Sequence, residues 1–177
     1  PLSLDDDDLE RMLNEHAFRP CGSQDMATMG FASPFSQAGK SGTMFHCVQQ
    51  RYWITLKKQE KILPAAVVNA ELEEMVAKIE METGAAVGKK AKTDLKQEIQ
   101  TRLLPQAFTK NSYTHGFISL PDNLVVVDAS SDGKAEAFLA MVRKAIGSLP
   151  VVPFTRHSLQ SELTHWVTDA TPDNIDL

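Results

Sequence analysis

KILPAAVVNAELEEMVAKIEMETGAAVGKKAKTDLKQEIQTRLLPQAFTK, residues 61–110, is the stretch on which the fold turns. In its first half Val68, Leu72, Met75, Val76 and Ile79 recur at three- and four-residue spacing, the one-sided apolar stripe of a helix. In its second half Leu95, Ile99 and Leu103 repeat every fourth residue. Gly84-Ala85-Ala86-Val87-Gly88 lies between them, small and flexible enough to turn the chain between antiparallel helices. An arm of roughly 16 to 19 residues reaches about 24 to 28 Å at the rise of an α-helix. That length fits either a projection that meets something or a two-helix element lying on a sheet.

The two arms carry opposite charge. Residues 62–82 hold five acids, Glu71, Glu73, Glu74, Glu80 and Glu82, against Lys78. Residues 83–110 hold six bases, Lys89, Lys90, Lys92, Lys96, Arg102 and Lys110, against Asp94 and Glu98. A second basic concentration lies in residues 51–61, where Arg51, Lys57, Lys58 and Lys61 outnumber Glu60. The net charge of −5 does not oppose a polyanionic partner, because the acidic excess gathers in Asp5, Asp6, Asp7, Asp8, Glu10 and Glu15. Local patches, and not overall charge, decide nucleic-acid binding. The plain alternative is that both basic stretches are solvated faces.

At 177 residues, with 42% apolar and 23% charged residues, the chain can bury a core, and one domain with an inserted element fits its length. No apolar run approaches a membrane span and the N-terminus lacks a basic-then-apolar leader, which points to a cytosolic protein. A start at Pro1 implies a trimmed chain. Cys21 and Cys47 have no CxxC partner and no metal-ligand neighbours, and read as reduced, partly buried thiols.

Outward from the hairpin, Ser3 and the carboxylates of Asp5 to Asp8 predict a helix start, with Leu9, Met12 and Leu13 as its apolar stripe, ending near His16. Met29 to Ala32, Met44 to Val48 and Tyr52 to Lys57 predict strands, the last two joined by Gln49-Gln50-Arg51. Tyr113 to Leu120 and Leu124 to Asp128 predict another pair around the turn Pro121-Asp122-Asn123. Ser131 is placed to cap a helix bearing Phe138, Leu139, Val142 and Ile146, closed by Gly147. Leu149 to Phe154 is predicted extended, Leu159 to Val167 a short helix, and the remainder frayed. Tight turns between strands imply antiparallel pairing and an α+β fold, with antiparallel sheet regions packed with helices and a protruding helical hairpin. The chain divides into residues 1–62, the first part of the body; 63–110, the finger; and 111–177, the second part of the body.

Few motifs carry chemistry. Gly39-Lys40-Ser41 imitates a phosphate-binding loop, but the required earlier glycine is Pro34. Asp122, with Asp132 and Lys134, imitates a metal-dependent nuclease, whose two acids would hold the ion while the lysine orients water. Turn and helix-start chemistry accounts for both acids without a metal. His16, His46, His115, His157 and His165 are scattered, and no cofactor or metal is indicated. Trp53 and Trp166 read as core or interface anchors. Phe108 stands just past Pro105, and either packs at a subunit contact or plugs the hairpin onto the body.

Several strings occur in register across most of the chain: FRPCGSQDM at 18–26, EKILP at 60–64, LLP with Ala107-Phe108 at 103–108, KAE at 134–136, GSLPVVP at 147–153, and Leu163-Thr164 with Trp166-Val167. Together they resemble the bacterial recombination-associated protein RdgC family. The resemblance implies a nucleoid-associated, non-enzymatic protein that binds double-stranded DNA with little sequence preference. It implies a ring-shaped homodimer with DNA in a basic hole, restraint of RecA-driven recombination, and a finger at residues 64–110 that contributes to subunit contact. Family chains extend further at the C-terminus, begin with an additional short strand, and carry Arg at the position of Gln106. On this reading Lys89, Lys90, Lys92, Lys96, Arg102 and Lys110 are the expected phosphate contacts, with Lys57, Lys58 and Lys61 beside them. Phe108 is the expected dimer anchor. Two other classes stand beside it: an exonuclease built on Asp122, Asp132 and Lys134, and a protein-interaction module that docks through the hairpin.

Overall fold

The computed structural model describes residues 5–35, 42–154 and Thr164. Its centre is one long strand. Tyr52, Ile54 and Leu56 alternate as buried apolar residues along β3 (Arg51–Ile62), which continues for twelve residues. On one flank β3 pairs in turn with β2 (Phe45–Val48) and β1 (Ala27–Ala32). On the other it pairs along its whole length with β4 (Phe108–Ser119), which pairs with β5 (Leu124–Asp128). All pairings are antiparallel in one five-stranded sheet. The expected strand pairs are present. Both central strands run further toward the hairpin than alternation predicts, because Lys57 to Ile62 pairs with Phe108 to Tyr113 although neither segment is strongly apolar.

Turn geometry follows from residue type. Gln49 and Gln50 both adopt positive φ, at 51° and 59°, so the β2–β3 connection is a two-residue hairpin whose twist suits the strands. Arg51 therefore belongs to the strand and not to the turn. Asn123, at φ 48°, closes the β4–β5 turn, a conformation asparagine tolerates.

Two helices cover one sheet face. The first, α1 (Asp6–Glu15), is capped by Asp5, whose carboxylate accepts from the Asp8 N–H; the expected cap, Ser3, lies outside the described residues. The second is α4 (Asp132–Ile146), with Ser131 at its N-cap position but making no side-chain cap bond. Leu9 and Leu13 of α1 and Phe138 and Val142 of α4 meet Phe31, Phe45, Tyr52, Ile54, Leu56 and Ile118 of the sheet. Each fully buried side chain of this kind stabilises the fold by about 1.5–3 kcal/mol. Phe138 can settle there only because residue 116 is glycine: a Cβ at Gly116 would stand 2.6 Å from the Phe138 ring. Gly30 serves a different contact, since its Cβ would strike the Phe18 backbone at 2.6 Å, where the chain crosses the opposite face. The two glycines thus solve unrelated packing problems.

The finger is separate in its packing. Helices α2 (Ala65–Thr83) and α3 (Lys89–Leu103) are joined by the expected small-residue connection, with Gly84 left-handed at φ 66°. The Glu71–Arg102 ion pair at one end and the Val87 N–H to Glu80 Oε1 bond of 2.9 Å at the other make them antiparallel. Val68 and Ile99 are buried, yet neither belongs to the core of the body. A 3-10 turn, Leu104–Gln106, leads into β4, so Phe108 and Lys110 are strand residues and not part of the hairpin's second arm.

Residues 149–153 form no strand: Leu149 is buried and Val151 half-buried against the core, while two prolines remove N–H donors needed for a ladder. Apart from Thr164, which is helical, the expected C-terminal helix lies outside the described residues, as do Trp166 and the Gly39-Lys40-Ser41 string. No helix among the described residues is long and apolar enough to cross a membrane.

Candidate nucleic-acid interface

The basic residues sort by the element that carries them. On a helix, Lys89, Lys92 and Lys96 stand at i, i+3 and i+7 and share a face of α3, with Lys90 about 100° round the axis from Lys89. None of these four amines makes a hydrogen bond or ion pair among the described residues. Lys110, exposed on β4, is likewise unpaired, and its charge helps hold the Glu60 carboxyl below its usual range, after the larger effect of Lys58.

A strand treats its basic residues differently, because neighbours point to opposite faces. Lys58 lies on the helix-bearing face, register partner of Met29 and Ser112, and donates to Glu60 at 2.6 Å. Lys57 lies on the other face, its amine 4.2 Å from the Phe18 ring centroid and 5.8 Å from that of Tyr113. Lys61 donates to the carbonyls of Ser23 and Leu104 at 2.7 and 2.9 Å, so it ties the finger's return to the body. Arg51 pairs with Asp122, and Arg102 with Glu71. Residues 51–61, basic in sequence, are therefore not one free patch. The expected phosphate contacts fall into an unpaired set, Lys89, Lys90, Lys92, Lys96 and Lys110, and a set already held by protein partners, Lys57, Lys58, Lys61 and Arg102.

The nuclease-like residues are not brought together. Asp122 sits in the β4–β5 turn, accepting from Ser119 Oγ at 2.5 Å and from Arg51 at 3.0 Å, and these bonds depress its pKa, Ser119 first. Asp132 begins α4 beyond the other end of β5, and Lys134 donates to Ser130 Oγ. The intervening strand rises by about 3.3 Å per residue, which is far too long a span for one ion to take both carboxylates at about 2–2.6 Å. Among the described residues no group of three His, Cys, Asp or Glu side chains could hold a metal. Both cysteines are free and half-buried, Cys21 Sγ lying 3.4 Å from Thr28 Oγ1 and from the Gln59 carbonyl.

Sequence reading missed two features. Of the two places expected for Trp53, core or interface, the core is excluded: it is 45% exposed on the sheet face opposite α1 and α4, in edge contact with His115. Val87, which reads as a turn residue, returns between the helices toward Leu72, and an apolar side chain inside an otherwise Gly- and Ala-rich connection was the available signal. Phe108 is 85% exposed beside its register partner Ile62, itself 48% exposed, so it does not plug the hairpin onto the body.

Fold and site together define an α+β domain with a two-helix finger whose second helix presents lysines unpaired among the described residues. Residues 1–177 match a family model described as "Putative exonuclease, RdgC". The chain is 62% identical over 173 residues to a "Recombination-associated protein RdgC" of Pseudoalteromonas atlantica, covering 98% of this chain and 56% of that one. It is 44% identical to the protein of that name from Psychromonas ingrahamii, covering 100% and 59%, and 43% identical to that from Shewanella loihica, covering 94% and 55%. The chain belongs to the RdgC family, and it spans a little over half the length of these relatives.

Proposed function

We propose that this chain is a recombination-associated, non-enzymatic protein that binds double-stranded DNA without reading its sequence. Its setting would be the nucleoid of the cytoplasm, as part of a homodimeric ring that limits RecA-driven recombination. The observation that carries the reading is the set Lys89, Lys90, Lys92 and Lys96 on one helix, three of them on one face, with Lys110 near the start of β4, all unpaired among the described residues. Amines free of carboxylates neutralise phosphates and release counterions without first breaking an internal bond. Four lysines stand on α3 against Gln97, Gln100 and an Arg102 already paired with Glu71, a balance that favours phosphate contact over base-edge contact. Lys57, Lys58, Lys61 and Arg102 would act mainly as positioning residues, since each already has a protein partner. The relatives' name supports the link to recombination.

The test is a fluorescence-anisotropy titration with DNA duplexes of unrelated sequence, without metal, across a salt series. Five phosphate contacts predict a slope of log K against log salt near −4.5, equal for all duplexes. Replacing Lys89 and Lys92 by Gln should flatten the slope by about 2 units. A slope that stays unchanged in that double variant would remove α3 from the interface.

A further inference from the structure

We propose that the cleft on the α3 side of the finger is a docking site for an acidic peptide of a partner protein, carrying one apolar side chain between its carboxylates. The cleft is shallow and widely open to solvent, with a volume of about 360 Å³, and is lined by Leu72, Val87, Lys89, Lys92, Thr93 and Lys96. Leu72 and Val87 are half-buried and form an apolar floor between the helices. Val87 is fixed there, because its N–H donates to Glu80 Oε1 at 2.9 Å.

Charge complementarity selects the occupant. The facing helix is acid-rich, but Glu71 is paired with Arg102; Glu80, bound to the Val87 N–H, leaves one carboxylate at the connection end against the three lysines of the rim. Lys89, Lys92 and Lys96 rim the floor with no carboxylate partner among the described residues. A phosphodiester backbone would use the amines and leave the floor unused, since it has no apolar side chain to place there. An apolar anchor flanked by aspartates or glutamates uses both: the anchor displaces water from Leu72 and Val87 while the carboxylates meet the rim. The inference goes beyond the duplex reading and does not depend on it. Because the lysines are shared, peptide and duplex would exclude one another from α3, and a partner of this chemistry would lift the finger from DNA.

The experiment uses the full chain and a labelled peptide of aspartates around a single phenylalanine, followed by anisotropy. Saturable binding that weakens with salt is expected, and it should fall about tenfold or more when alanine replaces the peptide's phenylalanine. Val87→Ser and Leu72→Gln should each weaken the peptide about tenfold, with duplex binding, measured separately, changed by less than about twofold. Val87→Ser lies in the connection outside both helices, so it tests the floor even if Leu72→Gln loosens α2, which circular dichroism would reveal. No binding, equal binding of the phenylalanine and alanine peptides, or full affinity in Val87→Ser would each overturn the proposal. The peptide titration contains no DNA, so failed duplex binding would count against the DNA reading alone.

Discussion

At the scale of single residues, what matters is whether a charge already has a partner. Asp122 shows how completely a side chain can be occupied by its own turn. It receives the Ser119 hydroxyl and the Arg51 guanidinium, which together hold its carboxyl below the ordinary aspartate range. A carboxylate whose folded pKa is depressed adds stability above its unfolded value, near 3.8, and that stability is lost as the pH falls through the folded value. Asp122→Asn should therefore lower the midpoint of thermal unfolding at pH 7, and the gap to the parent should close as the pH falls below that range. A gap that stays constant down to the lowest pH would show that geometry, and not ionisation, is what the turn requires. The same logic separates lysines that look alike in the sequence. Lys57, Lys58 and Lys61 lie within five positions, yet one caps an aromatic ring, one pairs with Glu60 and one binds two carbonyls. Only Glu60, two residues from Lys58 and on the same strand face, is within reach of a spacing argument; the partners of Lys57 and Lys61 are remote in sequence.

At the scale of elements, periodicity made the hairpin legible and underestimated the strands. Val68 and Ile99, members of the two stripes, are the buried residues of α2 and α3, and Gly84 is the left-handed residue that lets α2 end. The outer parts of β3 and β4 were hidden because their residues are polar and are held by backbone pairing along a neighbour, not by alternate burial. The finger's buried side chains lie apart from the cluster around Phe138. This separation predicts independent stability. Ile99→Ala, which removes three carbons from a fully buried position, should cost about 2–4 kcal/mol locally. Amide exchange in α2 and α3 should quicken by a factor of roughly 30 or more while Tyr52 to Leu56 keep their protection. Equal loss of protection in the sheet would mean that finger and body unfold as one unit.

At the scale of the whole molecule, two exposed apolar residues at the finger's root need a covering. Phe108 and Ile62 are register partners at the end of the longest strand pair, beyond the reach of the core that α1 and α4 complete. In one copy of the chain Phe108 is 85% exposed, so it contributes little to that copy's own stability. We propose that this aromatic residue and its aliphatic neighbour meet a second copy, which agrees with the homodimer proposed above. A centrally buried aromatic anchor typically contributes about 2 kcal/mol or more to association, roughly thirtyfold in the dissociation constant. A two-fold dimer would use the residue twice, which makes the effect larger. Phe108→Ala should leave the thermal midpoint nearly unchanged under monomeric conditions and shift the mass in sedimentation equilibrium from dimer toward monomer. The duplex titration then separates contact from closure. If the ring holds DNA by enclosing it, the dimer-deficient variant should keep its salt slope per copy, because its lysines are intact, yet release duplex faster. If mass and release rate are both unchanged, Phe108 faces solvent or another partner, and the subunit contact lies elsewhere on the chain.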